Sequence, residues 1–360
     1  MTKYIGLMSG TSADGMDAVI VDFSSDHPTL IAAHGCAYSA RERSQLREAA
    51  LADSLALDTI MQLDRDIAAR SVEAIQQVLD QAGLGVDDII AVGSHGHTLR
   101  HRSAPAGYSW QIGDPSWIAE HAGITCVADF RRRDIAANGE GAPLLPAFHQ
   151  AVLNSTTPRM ILNLGGIGNL TVLREQQSLG FDTGPGNALM DDYCQQHLNM
   201  ACDLNGERAR QGRVNNRLLG QWLRDPYFRQ PTPKSTGREH FNLKHFSLDA
   251  SLSHDDILAT LTELTAASVG LAVEQHGHGA GELLVCGGGV HNGYLMQRLQ
   301  QRLPGHAIGN TADFGIDPDW MEAMGFAWLA YQTLQGRPGN LPAVTGALGE
   351  RILGGIFLAS

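Results

Sequence analysis

A chain of 360 residues is too long for one ordinary hydrophobic core, so two domains are expected. With 43% hydrophobic and 18% charged residues it has ample core material, which excludes a largely disordered chain. A formal net charge of −12 speaks against a nucleic-acid backbone as partner, since that binding concentrates Lys and Arg; an anionic small molecule needs a local cationic site instead, and Arg131-Arg132-Arg133 is the obvious one.

The chain opens on a β-hairpin. A strand from Tyr4 runs into the turn residues Gly10, Thr11, Ser12, Ala13, Asp14 and Gly15, and Met16 and Asp17 lead into a second strand at 18–21. A third strand is expected near 30–37. Apolar residues then recur at helical spacing over 58–82, among them Ile60, Leu63, Ile67, Ile75 and Leu79, until Gly83 ends the helix. A buried strand at 89–94, a helix near 116–122 and a strand at 124–128 complete an α/β layer set. The second half restarts at Ile161 with a strand, the turn Gly165-Gly166-Ile167-Gly168-Asn169 and a strand at 170–173. Helices are expected at 188–197, 215–224 and 255–275, the last capped by Ser253. A strand at 282–286 runs into Gly287, Gly288 and Gly289 and a helix at 292–303, and a final helix covers 318–334. Domain I is expected over 1–132, with the Gly- and Pro-rich tail 340–360 as its completing piece, and domain II over 133–339.

Cys36, Cys126, Cys194, Cys202 and Cys286 form no CxxC pair, which fits buried thiols in a reducing cytoplasm. The start shows no basic-then-apolar leader, and no run approaches the ~18 apolar residues of a membrane span. No membrane partner is expected.

The two glycine-bearing hairpins read as phosphate cradles. Glycine lets backbone approach an anion closely, and successive turn N–H groups make a concave anion site. In residues 10–17 hydroxyls and amides can reach phosphate oxygens, and Asp14 and Asp17 are placed to hold Mg2+ through water. Asn163, Gly165, Gly166, Gly168 and Asn169 form the second copy. Either turn alone is equally a hairpin loop with Asx-type hydrogen bonds; the repetition shifts the balance. No GxxxxGK[ST] string occurs, and only residues 286–292 offer strand-glycine-helix. The combination describes an α/β two-domain actin-like ATPase (ribonuclease H-like) fold, with a duplicated core and a cleft between domains that closes on one ATP.

Three further stretches carry chemistry. In Gly180-Phe181-Asp182-Thr183-Gly184-Pro185-Gly186-Asn187 a carboxylate ends an apolar strand beside a helix start, where an anion is welcome. Gly184, Gly186 and Asn187 are counted with the nucleotide for that reason, although Asp182 by itself reads more readily as a capping residue. His95 and His97, with His101 nearby, suggest an HxH metal site. Gly93 and Gly96 point to a loop there, and no carboxylate or Cys ligand is suitably spaced. Glu322 stands among Met321, Met324 and Phe326 on an apolar helix face, where a carboxylate wants a partner.

The strings Gly-Leu-Met-Ser-Gly-Thr-Ser-x-Asp-Gly-Met-Asp (6–17), Gly-Ser-His-Gly-His-Thr (93–98), Ala-Asp-Phe-Arg-Arg-Arg-Asp (128–134), Asn-Leu-Gly-Gly-Ile-Gly-Asn (163–169), Gly-Phe-Asp-Thr-Gly-Pro-Gly-Asn (180–187), Pro-Lys-Ser-Thr-Gly-Arg-Glu (233–239) and Val-Cys-Gly-Gly-Gly (285–289) resemble those of the anhydro-N-acetylmuramic acid kinase family. The resemblance runs on to Val344-Thr-Gly-Ala347. It implies an actin-like ATPase fold, a homodimer, and a role in recycling cell-wall muropeptides. The reaction it implies hydrolyses the ring of 1,6-anhydro-N-acetylmuramic acid while ATP phosphorylates O6, giving N-acetylmuramic acid 6-phosphate and ADP. Asp182 then matches the catalytic base that activates water. Thr98, Gln111, Arg131, Asp134 and Glu322 match sugar contacts, with Arg131 able to meet the lactyl carboxylate bidentately. Gly287, Gly288, Gly289 and Asn292 fit the adenosine-side loop. Most family members carry Gln where His97 stands, so His97 is not expected to be essential. The stretch 234–239 matches a family motif that would either touch nucleotide or fix domain contacts.

Overall fold

A computed structural model describes residues 2–25, 27–102, 107–174, 178–232, 234–238, 240–277, 279 and 281–360. The chain divides into two compact units, Met1–Val152 with Trp320–Ser360, and Leu153–Asp319. In the first, the strands are β1 (Lys3–Ser9), β2 (Gly15–Asp22), β3 (Thr29–Ala37), β4 (Ile89–Arg102), β5 (Tyr108–Ile112) and β6 (Cys126–Ala128). The second contains β7 (Arg159–Leu164), β8 (Ile167–Leu173), β9 (Leu179–Pro185), β10 (Glu282–Cys286) and β11 (Ala307–Asn310). A last strand, β12 (Gly355–Phe357), returns to the first unit and pairs antiparallel with β6.

The sheet orders establish the duplication. Unit 1 runs β3-β2-β1-β4-β6 and unit 2 runs β9-β8-β7-β10-β11. In each, the first three strands in sequence form an antiparallel meander. The fourth and fifth add parallel to the first on its other side. That shared order is the ribonuclease H-like core expected from the two hairpins. Unit 1 adds β5 as a hairpin on β4 and β12 at the edge. In both units the glycine turn lies at the carboxyl end of the central strand, the end where α/β sheets bind ligands.

The helix Met321–Leu334 places the second boundary at 320 rather than near 340. It lies flat on unit 1's sheet because two strand residues have no side chain. A Cβ on Gly6 would come within 1.9 Å of the Ala323 carbonyl oxygen, and one on Gly93 within 2.1 Å of that of Phe326. The first boundary falls at 153 rather than 133, since the arginine-bearing helix Phe130–Ala136 and the helix Leu145–Leu153 both precede it. In unit 2 the helix His254–His276, capped by the Ser253 hydroxyl on the Asp256 N–H, is the core element. It is long and apolar enough to cross a membrane, but 89% of its most apolar window is buried inside the unit.

Other expectations need correction. The segment 93–98 is not a loop: β4 continues through it, with a bulge at Gly96, whose φ of +71° only glycine adopts easily. The helix Ala40–Leu51 was not anticipated, although Ser39 and Glu42 form its capping box. Four cysteines are buried as expected, whereas Cys202 is exposed.

Candidate active site

The first turn is held from below by an unanticipated arginine. Ala13 donates its N–H to the Gly10 carbonyl (2.9 Å) at a φ of +54°, and the Arg47 Nε and Nη2 donate to the Ser12 carbonyl at 3.1 and 2.8 Å. A carbonyl drawn toward a cation leaves the neighbouring turn amides facing the other way, as an anion site requires. Gly10 has open space around its Cβ position, with only the Ser12 hydroxyl near at 3.6 Å. Thr11 is exposed and Ser12 half-buried; Gly15 lies where a Cβ would strike the Cys36 carbonyl, and Met16 is buried in the core. Asp14 is exposed, 3.9 Å from both the Arg43 Nη1 and the Arg47 Nη2, and Asp17 is half-buried on β2. Two carboxylates of this kind are hard oxygen donors that suit Mg2+ through water.

Behind this turn runs a buried polar chain. Tyr38 donates its hydroxyl to the Ser9 Oγ (2.9 Å), which lies 2.9 Å from the His97 Nδ1. Burial pushes the Tyr38 hydroxyl up to about 12 and the His97 ring down to about 4, so both stay neutral at ordinary pH. The Ser9 hydroxyl accepts from Tyr38 and shares a second hydrogen bond with the His97 ring. Among the described residues, the one cluster of His, Cys, Asp and Glu groups close enough to hold a metal ion is Asp225, His240 and His245, and it does not include His97.

The expected sugar contacts gather on unit 1. Thr98 and Gln111 are cross-strand partners on β4 and β5, and the Gln111 Nε2 donates to the Thr98 Oγ1 (3.2 Å) and the Ser109 Oγ (2.7 Å). Arg131, on the helix Phe130–Ala136, donates to the His95 Nε2 from Nε (3.2 Å) and Nη2 (2.9 Å), and from Nη1 to the Gly141 carbonyl (2.9 Å). Guanidinium cannot accept, so the His95 ring proton must sit on Nδ1, which meets the Gly96 carbonyl at 2.9 Å. Burial, then the Arg131 charge, holds His95 well below its usual range, and it serves as a neutral acceptor. Burial lowers Arg131 to about 10, while the Glu322 and Asp134 charges pull it up; it remains a cation at neutral pH. Glu322 is thus within electrostatic reach of Arg131.

Asp134 departs from its expected place. It is fully buried, and its Oδ2 accepts from the Gly141 N–H (2.9 Å) while Oδ1 accepts from the Asn340 Nδ2 (2.7 Å) and the Thr345 Oγ1 (2.8 Å). With three donors satisfied and no exposed surface, this carboxylate holds the loop and tail around Arg131 rather than presenting an oxygen outward.

Unit 2 builds its site around the second turn. Gly165 has almost nothing near its Cβ position, whereas the corresponding space at Gly166 is taken by the Arg238 guanidinium, Nε at 3.2 Å and Nη2 at 3.3 Å. The amides of Gly186, Asn187 and Ala188 donate to the carbonyls of Gly166, Gly165 and Gly166 at 2.9, 2.8 and 3.1 Å. The start of the helix Ala188–Leu198 therefore fixes the turn instead of offering free amides to an anion. Gly184 faces the Phe228 ring inside the core, and Gly168 packs on the Thr183 hydroxyl. Gly287 and Gly289 press on Asn163 and Leu164 beside the turn, Gly288 has open space at its Cβ position, and the Asn292 Oδ1 caps the Leu295 N–H (3.0 Å).

Asp182 lies within β9, three residues before its end, opposite Asn169 of β8. Its Oδ1 accepts from the Asn169 Nδ2 (2.8 Å) and its Oδ2 from the Thr236 N–H (2.9 Å). The backbone is held as well: the Asp182 N–H donates to the Lys234 carbonyl (3.0 Å) and the Tyr227 hydroxyl to the Asp182 carbonyl (2.7 Å). The motif whose role the sequence left open is thus a strap across the acid; Pro233 and Glu239 lie outside the described residues. Lys234 is lowered by burial against the upward pull of Asp182, and its Nζ donates to the Tyr227 carbonyl (3.1 Å). The Asp182 carboxylate accepts a hydrogen bond at each oxygen, and a carboxylate fixed in this way can take a proton from water.

The family profile described as "Anhydro-N-acetylmuramic acid kinase" matches residues 2–359. The chain belongs to that family. The anhydro-N-acetylmuramic acid kinase of Xanthomonas campestris pv. campestris strain 8004 is 50% identical over 371 residues, covering 99% of this chain and 97% of the relative. That of Shewanella sediminis is 46% identical over 367 residues, covering 99% and 98%. Among solved structures, the activator of the 2-hydroxyisocaproyl-CoA dehydratase from Clostridium difficile with bound ADPNP superimposes with a TM-score of 0.48 at 12% identity, over 93% of this chain and 96% of that one.

Proposed function

We propose that the chain is an ATP-dependent kinase that hydrolyses the 1,6-anhydro ring of 1,6-anhydro-N-acetylmuramic acid and phosphorylates O6, giving N-acetylmuramic acid 6-phosphate and ADP in peptidoglycan recycling. Family membership over the full chain supports a kinase for this sugar. The observation that carries the mechanism is Asp182, gripped at both oxygens and at its backbone opposite Asn169 on the strand that leaves the Gly165-Gly166 turn.

In this reading Asp182 takes a proton from water as the hydroxyl forms a bond to the anomeric carbon. The bond from that carbon to O6 breaks, O6 bonds to the γ-phosphorus, and ADP leaves. Fixing the carboxylate in advance removes the cost of orienting it during the reaction. The turn at 10–15 and the turn Gly165-Gly166 bind the phosphates, and the glycines at 287–289 accept the nucleoside side. Asp14 and Asp17 would hold Mg2+ through water; the ion supplies charge neutralisation on the phosphates. Arg131, aligned by His95 and Gly141, binds the lactyl carboxylate, while Thr98, Gln111 and Glu322 bind hydroxyl or amide groups of the sugar.

We further propose a homodimer in the cytoplasm, on the family resemblance; sedimentation of the purified protein at one protomer mass would count against it. The activity is tested by ADP release with the anhydro sugar, with N-acetylmuramic acid and with glucose as acceptors. Turnover with the anhydro sugar and not with the open sugars is expected. Equal turnover with glucose contradicts the assignment.

A further inference from the structure

We propose that Arg238 is the cation of the second phosphate turn and binds the terminal phosphates of ATP. The inference rests on the reading of Gly165-Gly166 as a phosphate site. That turn carries no Lys or Arg of its own, and neither does 10–17, yet a phosphoryl group in flight carries negative charge that fixed cations must meet. The net charge of −12 makes a local cation more necessary.

Arg238 answers this need by position. Its Nε and Nη2 edge, the edge that pairs bidentately with phosphate, lies where a Gly166 side chain would have been. Its Nη1 is 3.3 Å from the Asp192 Oδ1, which fixes the outer end of the guanidinium on the helix Ala188–Leu198. Its Nε is buried and, among the described residues, has no hydrogen-bond partner. An unsatisfied buried donor is costly, and a phosphate oxygen arriving at the turn would relieve that cost. The glycine at 166 is then explained twice, by close approach of backbone to phosphate and by the room it leaves for the arginine.

Arg238 also stands four residues from Lys234 and two from Thr236, whose backbones hold Asp182. One short strap therefore carries the phosphate cation at one end and orients the base at the other. A phosphate drawing on Arg238 would pull on the segment that aims Asp182.

Isothermal titration of ATP, ADP and AMP into Arg238→Gln, Arg238→Lys and Gly165→Val tests this, with thermal denaturation as a folding control. Arg238→Gln should weaken ATP at least tenfold, weaken AMP less than threefold and leave the KM for the sugar within twofold. Arg238→Lys should recover part of the ATP affinity, which a merely structural role would not predict. Gly165→Val, which puts bulk into the open side of the turn, should also weaken ATP. If Gly165→Val weakens ATP while Arg238→Gln binds it as the parent does, Arg238 is overturned and the turn stands. Parental ATP affinity in both overturns the turn and the arginine together. Should Arg238→Gln fail to fold, Arg238→Lys decides alone, and an unchanged ATP-to-AMP affinity ratio in it refutes the proposal.

Discussion

Replacing Asp182 by Asn changes one charge and almost no volume, which makes it the sharpest probe of the site. In the parent, Oδ1 accepts from the Asn169 Nδ2 and Oδ2 from the Thr236 N–H. The Thr236 donor is backbone and cannot turn away, so the new amide must give its oxygen to Thr236 and its NH2 to Asn169. Asn169 can flip to accept it, and the geometry survives. Two charge-assisted bonds become neutral ones, a loss of ~1–3 kcal/mol of stability. The catalytic effect is larger: a positioned general base contributes ~10²–10⁴-fold, or about 3–5 kcal/mol of barrier at 1.36 kcal/mol per factor of ten. Coupled ADP-release kinetics with the anhydro sugar should show that loss in kcat, with ATP affinity by calorimetry within threefold of the parent. Turnover within tenfold of the parent would refute Asp182 as the base.

Asp134→Asn should act on stability rather than on sugar binding, lowering it by ~1–3 kcal/mol because its NH2 would face the Gly141, Asn340 or Thr345 donors; a raised KM for the sugar with an unchanged melting temperature would show that the carboxylate meets substrate after all. Arg131→Lys cannot bridge His95 and Gly141 and should raise the KM for the sugar about 10- to 150-fold, from the ~1.5–3 kcal/mol worth of a charged hydrogen bond, with ATP binding intact; a KM within twofold would remove Arg131 from the sugar site. His97 is buried with its pKa lowered to about 4 from 6.5, so the unfolded chain takes up a proton that the folded one refuses. Its stability contribution is full above pH 6.5 and is lost as pH falls toward 4, by at most ~3 kcal/mol. His97→Gln should flatten that limb in denaturant melts across pH, and an unchanged limb would assign it to other groups. Gly6→Ala should yield no soluble folded protein, since its methyl would overlap the Ala323 carbonyl; a parental melting temperature would place that helix wrongly.

Both glycine hairpins were legible because the residues that make a phosphate turn are also the residues that punctuate two apolar strands. The duplicated sheet order followed from finding that pattern twice. The strand through Gly96 was not legible, since a glycine that creates a bulge looks in sequence like one that ends a strand. The helix Ala40–Leu51 buries only Leu46 and Ala49, too little for apolar periodicity to reveal it; the Ser39 and Glu42 capping pair was the available signal, and with it Arg43 and Arg47 would have been found. Asp134 was misplaced for a different reason. Its partners Asn340 and Thr345 lie 206 and 211 residues away, and no local pattern shows that a surface-looking acid is buried by the tail. The strap that grips Asp182 comes from 54 residues downstream through a backbone amide, a contact that side-chain identity cannot disclose.

The central claim is that one carboxylate directs water to the anomeric carbon while the freed O6 receives the phosphoryl group. The direct measurement is mass spectrometry of products formed from the anhydro sugar and ATP in oxygen-18 water, quenched before the anomeric oxygen exchanges. One heavy oxygen at the anomeric carbon of the sugar phosphate, with an unlabelled phosphoryl group, is the predicted result. Heavy oxygen in inorganic phosphate, or a phosphorylated sugar whose anhydro ring is still closed, would contradict it.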